Sequence, residues 1–282
     1  MTREQKRKIS TVIRYTLLIA VGFIMVYPLI WMVGATFKTN SEIFTSAWFW
    51  PKNPVFDGYE NAFKNYGGKI NLILSMLNTY KIVIPKVVFT IVSATITAYG
   101  FARFNFKGKG FMFSMMMATL FLPQVVLNAP QYIMFNKWGW TNSYLPLVIP
   151  SLFAADTYFV FMLIQFLRGV PKELEEAAAI DGCGMFRCMW QVIFPLVRST
   201  SITLLVLFFL WTWNDFLMPN LYVSDSGLRT LTVAIYMFKS TSGSEWNLML
   251  AGMTLSMVPI IIIYIAAQKY ITSGLTAGAV KM

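Results

Sequence analysis

Residues 15–37 read YTLLIAVGFIMVYPLIWMVGATF, 23 positions without a charge. An α-helix rises 1.5 Å per residue, so a hydrocarbon core of about 30 Å takes about 20 residues to cross. The run is long enough to span a bilayer. Arg3, Lys6, Arg7, Lys8 and Arg14 precede it, a basic flank of the kind found on the cytoplasmic side of membrane helices. A secretory signal peptide would have an apolar stretch of only about 7–15 residues, followed by small residues at a cleavage site. Here the run is longer and is followed by bulky residues. The expectation is an uncleaved first span with its N-terminus inside.

Composition carries the same message along the chain. Of 282 residues, 57% are hydrophobic and 12% are charged, with a mean hydropathy of +0.59. A water-soluble domain is about 45–50% apolar and about 25% charged, so there is too little charge here to clothe a water-facing surface. Further apolar runs lie at 82–102, 111–127, 144–167, 199–217 and 246–268, the last again 23 residues without a charge. Backbone groups in hydrocarbon must pair internally, and none of these runs alternates with the period of two expected of a barrel strand. The expected fold class is all-α: a polytopic membrane protein with six transmembrane helices and both termini on one side.

The net charge of +11 would suggest nucleic acid in a soluble protein. In this pattern it sets orientation. Most of the Lys and Arg fall in the N-tail (1–14), the 103–109 connection, the 168–198 connection and the C-tail, which makes that side cytoplasmic. The long outer segment 38–80 mixes charge with Trp48, Phe49, Trp50, Pro51 and Pro54. It reads as a small external cap of short helices, with a turn at Gly67-Gly68.

The chain contains no His and two Cys, Cys183 and Cys188. That excludes Ser-His-Asp and Cys-His machinery, a His-ligated zinc and a disulfide framework. No metal, cofactor or catalytic residue is expected. There is no Gly-x-x-x-x-Gly-Lys-[Ser/Thr] string either, so any energy from nucleotide must come from a partner.

The connection 168–198 is unlike a short basic loop. Pro171 marks a helix start, and Glu173, Glu175 and Glu176 suit the positive end of a helix dipole. Ala177-Ala178-Ala179 favours helix, and Gly182 ends it. A second short helix fits Met185 to about Ile193, with Pro195 before the fifth span. Two readings fit this hairpin: packing under the bundle, or a docking site whose Ala and Gly residues let a partner approach closely while Glu176 and Asp181 supply charge at the rim.

The string Glu176-Ala177-Ala178-Ala179-Ile180-Asp181-Gly182, followed by Val192-Ile193-Phe194-Pro195, resembles the EAA loop of ABC importer permeases. Tyr99-Gly100-Phe101-Ala102-Arg103 is similar to the second-span exit of carbohydrate permeases. Trp213-Asn214-Asp215-Phe216-Leu217-Met218-Pro219 is similar to their fifth-span WND motif. Gly274-Leu275-Thr276-Ala277-Gly278-Ala279-Val280-Lys281 resembles the C-terminus of the smaller maltose-type permease. The resemblance covers about residues 10–282; Cys183 departs from it, standing where the family usually has Ala.

The resemblance implies a single permease domain over 15–282, six spans in the type I importer fold, and a sugar or oligosaccharide as cargo. It implies a second permease subunit as a probable heterodimer partner, two ATP-binding cassette ATPase subunits and an extracytoplasmic solute-binding protein. Glu176, Ala177, Ala178, Asp181 and Gly182 would couple the spans to the ATPases, whose ATP-driven closure would give alternating access. The C-tail, with Gly274, Gly278 and Lys281, would reach the ATPase dimer or be a disordered end. Alternatives are a permease for a non-sugar solute, or an ion-coupled carrier, which would need several intramembrane ionisable groups.

For the substrate path the candidates are Asp156, Tyr158 and Asn78. A carboxylate near the middle of the fourth span is costly and therefore a functional candidate. Its alternatives are pairing with a Tyr or Lys86, or a position raised toward the external face. Lys81 and Lys86 read as snorkelling side chains. Trp138, Trp140, Trp211 and Trp213 suit an interfacial belt, and Met112–Met117 suits adaptable packing. Asn214 and Asp215 would hold an outer loop or contact the binding protein.

Overall fold

In the computed structural model, residues 3–64, 71–240 and 243–279 are described. The first uncharged run, 15–37, lies in helix Arg3–Ala35 except for its last two residues, which form a turn. Only 6% of its most apolar window is buried, against 44% for the next long helix, Leu72–Arg103. A helix apolar all round with so little protein cover presents a surface suited to lipid. Among the described residues four helices are long and apolar enough to cross a membrane, and up to six if each of two bent helix pairs counts as one span.

The second and sixth spans extend beyond their apolar runs, as helices Leu72–Arg103 and Trp246–Ala279. The latter takes the backbone of Gly274 and Gly278 into helix, where a small, flexible tail is expected from composition. Lys281 and the Gly67-Gly68 turn lie outside the described residues.

Three other spans depart from the expected form, each at a proline. The run 111–127 is not one helix: Lys109–Leu120 ends, and Gln124–Lys137 continues after a bend of 102°. Pro123 disfavours helical geometry at the residue before it. The run 144–167 is also interrupted. Helix Leu145–Val148 tightens into a 3₁₀ turn, Ile149–Phe153, and Ala154 then adopts φ 53° before helix Thr157–Arg168. Pro150 lacks the N–H that would continue the first helix. In the third case no gap separates the 185–193 helix from the fifth span. Met185–Cys188 passes through a π turn, Met189–Ile193, into Phe194–Trp213. Pro195 cannot donate to the Gln191 carbonyl, and the widened turn accommodates that missing bond.

Contacts divide the chain into two units, Met1–Ile73 with Ala234–Met257, and Leu74–Val233 with Val258–Met282. In the first, the segment after the first helix holds short helices Asn40–Thr45 and Asp57–Phe63. Lys38 is fully buried, and its ammonium donates to the carbonyls of Ser46 at 2.8 Å and Trp48 at 2.6 Å. A two-residue antiparallel ladder pairs Lys239 with Ser244 and Ser240 with Gly243. In the second unit, Ile82, Phe135, Leu147, Val148, Tyr222 and Val223 form a buried cluster. Asn142, at φ 58°, ties two connections together: its Oδ1 accepts from Ser224 N, Ser224 Oγ and Asp225 N.

Candidate functional site

The 168–198 connection contains helix Glu173–Ile180. Its first turn holds three carboxylates with different surroundings. Glu175 points inward, pairs with the Arg103 guanidinium, and accepts from the Tyr99 hydroxyl at 3.1 Å. Arg103 also donates to the Val170 carbonyl at 3.0 Å. The end of helix Leu72–Arg103 thus grips the connection at two points, Val170 and Glu175. Glu176 and Ala177 lie on the exposed side, and Ala178 is half-buried.

The helix ends in a Schellman arrangement. Gly182 N donates to the Ala179 carbonyl at 3.0 Å, and Cys183 N to the Ala178 carbonyl at 2.9 Å. This closure requires a left-handed residue, and Gly182 supplies it at φ 77°. Nothing lies within 4 Å of where a Cβ on Gly182 would sit, and Asp181 beside it is exposed. Ile180 is 87% exposed and Phe186 71%. The result is a held helix with an open, partly apolar outer face. Cys183 and Cys188 are free thiols, the second buried.

A separate cavity of about 480 Å³ opens within the second unit. Asp156 reaches it from the break before Thr157–Arg168, not from mid-helix. The Thr90 hydroxyl donates to Asp156 Oδ2 at 2.6 Å. Lys86 lines the same space; its ammonium lies 5.6 Å from the Phe208 ring centre. Gln124 and Gln131, on the segment after the bend, also line the cavity. Trp140 stacks on Phe135 at 5.6 Å and 8°, with Trp138 edge-on to Trp140 at 5.3 Å.

The structure does not gather all the sequence candidates here. Asn78 is 1% exposed and donates both ways from its amide, to Gly227 at 2.8 Å and Arg229 at 3.2 Å, so it ties a loop. Tyr158 packs against Trp211 at 5.4 Å and is not among the cavity's lining residues. Trp213 is 1% exposed and stacks on Phe209. Asn214 closes the fifth helix by donating to the Leu210 carbonyl at 2.9 Å, and Asp215 accepts from Met218 N at 3.2 Å. Sequence reading missed Glu175 as the anchor and took Trp138 and Trp140 only as belt residues. One available signal was Gln124 and Gln131, seven apart and therefore on one helix face.

Residues 65–276 match the family model described as binding-protein-dependent transport system inner membrane component. The chain belongs to that family. This permease is 33% identical over 264 residues to the "Probable starch degradation products transport system permease protein AmyC" of Thermoanaerobacterium thermosulfurigenes, covering 93% of this chain and 94% of that one. It is 29% identical over 283 residues to the arabinooligosaccharides transport system permease protein AraQ of Halalkalibacterium halodurans, covering 98% and 99%. The permease also shares its fold with a bacterial ABC transporter involved in the import of the acidic polysaccharide alginate, at TM-score 0.78 and 18% identity over 96% of this chain and 98% of that one. A second alginate transporter structure, in complex with alginate pentasaccharide-bound periplasmic protein, matches at TM-score 0.65 and 15% identity over 93% and 94%. The permease is therefore a multi-pass membrane component of a transport system.

Proposed function

We propose that this permease is one of two membrane subunits of an ATP-driven importer for a sugar or oligosaccharide, and that helix Glu173–Ile180 is where ATPase subunits engage it. The anchored loop helix carries the reading. Glu175 holds it from inside, while Glu176, Ala177, Asp181 and Gly182 remain on the open side. The relatives' oligosaccharide transport names support the cargo class, and the complex with a periplasmic protein supports an external solute-binding partner. ATP hydrolysis resides on the partner subunits, and the permease converts their closure into alternating access. Both termini face the cytoplasm, and Gly274, Gly278 and Lys281 approach the ATPase pair. Trp213, Asn214 and Asp215 shape the outer end of the fifth span beneath the solute-binding protein.

Co-purification tests the coupling surface. An ATPase subunit comes down with the wild-type chain, and Glu176→Lys or Gly182→Asp abolishes both that association and sugar-stimulated ATP hydrolysis. Unchanged assembly and stimulation in both variants would refute the assignment of this helix.

A further inference from the structure

We propose that Cys183 and Cys188 form a redox switch on the 168–198 connection. A disulfide between them, made at the expense of a small disulfide of the glutathione class, locks the turn that joins helix Glu173–Ile180 to the fifth span. The switch rests on the coupling role proposed above and adds a control to it.

The turn is short, and both of its ends are defined by hydrogen bonds. Cys183 N donates to the Ala178 carbonyl at 2.9 Å, which makes Cys183 the closing residue of the helix before it. Gly184 is then the N-cap of the next helix, with extended backbone at φ −67° and ψ 158°. Cys188 N donates to the Gly184 carbonyl at 2.9 Å. Cys183 therefore sits just before the cap, and Cys188 at the fourth position of the helix. Side chains at those two positions meet across the start of a helix, the contact called a hydrophobic staple. A free thiol packs as a small apolar group, so the two cysteines occupy the staple.

Their surroundings give the two thiols different parts. Cys188 is 5% exposed, and its electrostatic neighbours are Glu175, Cys183 and Arg103. It lies beside the ion pair that fastens the loop helix to Leu72–Arg103. Cys183 is half-buried, and it is the thiol that a soluble disulfide can reach. The thiolate is the attacking form. The Cys183 thiolate attacks one sulfur of oxidised glutathione, whose S–S bond breaks to release a glutathione thiolate. The Cys188 thiolate then attacks the Cys183 sulfur and expels the second glutathione. Two protein thiols are oxidised, one glutathione disulfide is reduced to two glutathione thiols, and the protons lost by the cysteines pass to the leaving groups.

The link constrains a place that is otherwise free to turn. Gly182, at φ 77°, and Gly184 flank Cys183, and nothing lies within 4 Å of a Cβ built on either. A bond from 183 to 188 closes a ring across Gly184 and removes rotation there. Helix Glu173–Ile180 then keeps one angle to the helix that continues into Phe194–Trp213. The proposed position beside the ATPase puts the pair in the cytoplasm, where disulfides are rare and those present are usually catalytic or redox-sensing.

The test uses the assembled importer in nanodiscs with its binding protein, treated with oxidised glutathione and then with dithiothreitol. Trypsin cuts after Arg187, between the two cysteines, so the disulfide leaves peptides 173–187 and 188–198 joined in the mass spectrum. The wild type is expected to form the joined pair, to lose most of its sugar-stimulated ATP hydrolysis, and to recover it in dithiothreitol. Cys183→Ala is expected to show wild-type stimulation before treatment and to keep it afterwards; Cys183→Ser repeats this arm should the Ala variant fail to assemble. Cys188→Ala is expected to stop at the mixed disulfide, with glutathione on Cys183. The switch is overturned if the joined pair does not form, or if it forms and stimulation is unchanged. It is also overturned if the Cys183 variants are inhibited as strongly as the wild type, which would place the sensitive thiol on a partner subunit. In each of these cases the importer reading stands. An untreated wild-type complex whose ATP hydrolysis does not respond to sugar refutes the coupling reading, and the switch with it.

Discussion

Arg103, in the last turn of helix Leu72–Arg103, is ion-paired with Glu175, in the first turn of helix Glu173–Ile180, with side chains only 5% and 18% exposed. The Tyr99 hydroxyl donates to the same carboxylate. A span and a loop helix are thus fastened through one acidic residue.

Removing that carboxylate strands a buried guanidinium. Glu175→Ala is expected to destabilise the permease by about 3–5 kcal/mol, the usual result of breaking a buried pair from one side. The double variant Arg103→Met with Glu175→Leu is expected to recover most of the melting temperature, because an apolar pair of similar volume avoids the desolvation penalty. Sugar uptake by the double variant should remain low if the pair transmits movement, and return with stability if it only supports the fold. Thermal unfolding and vesicle uptake, measured side by side, decide this.

Gly182 separates backbone demand from partner approach. Its left-handed geometry costs a non-glycine residue about 1–2 kcal/mol, and no neighbour lies near its missing side chain. Gly182→Asn, which tolerates this region, is expected to melt close to wild type, whereas Gly182→Val should lose stability measurably. An Asn variant that folds normally but fails to retain the ATPase in co-purification would show that the partner's surface comes close at this point.

A third contrast lies in the first helix. A Cβ on Gly34 would stand 1.8 Å from the Phe49 carbonyl oxygen, while one on Gly22 would meet nothing within 4 Å. Ala is better than Gly in a helix by about 1 kcal/mol. Gly22→Ala is therefore expected to be neutral or stabilising, and Gly34→Ala to lower the melting temperature and the yield of folded protein. Equal behaviour of the two would contradict the close packing of 34 against 49.

The sequence was legible where one physical constraint dominates. Residues 15–35 and 246–268 are helical because a charge-free run of that length in hydrocarbon has no other way to pair its backbone. Gly182 was legible because its turn has a local chemical signature. The breaks were harder to read. Pro123 lies inside an apolar run, and hydropathy does not register a missing N–H. Ala154 at φ 53° carries no signal at all, so Asp156 was expected a turn or more inside a helix. The choice between Glu175 and Glu176 depends on Arg103, which is remote in sequence, and no short pattern around either glutamate encodes that distance. Asn78 illustrates the opposite error. A polar residue at the start of a span looks available for substrate, yet both of its bonds are already spent on the 227–229 backbone.

Helix Leu72–Arg103 contains Pro85, and between Lys86 and Tyr99 it contains neither Pro nor Gly. Kinks in long helices gather at proline, where the N–H of one turn is absent. A kink in this helix would therefore fall before Lys86, not between the cavity and Arg103. Lys86 and Thr90 share the stretch after Pro85 with Tyr99 and Arg103, while Asn78 and Thr79 precede it and are fastened to the 227–231 loop. Rotation about Pro85 would swing Thr90, the hydroxyl that holds Asp156, and leave the bonds of Asn78 and Thr79 in place.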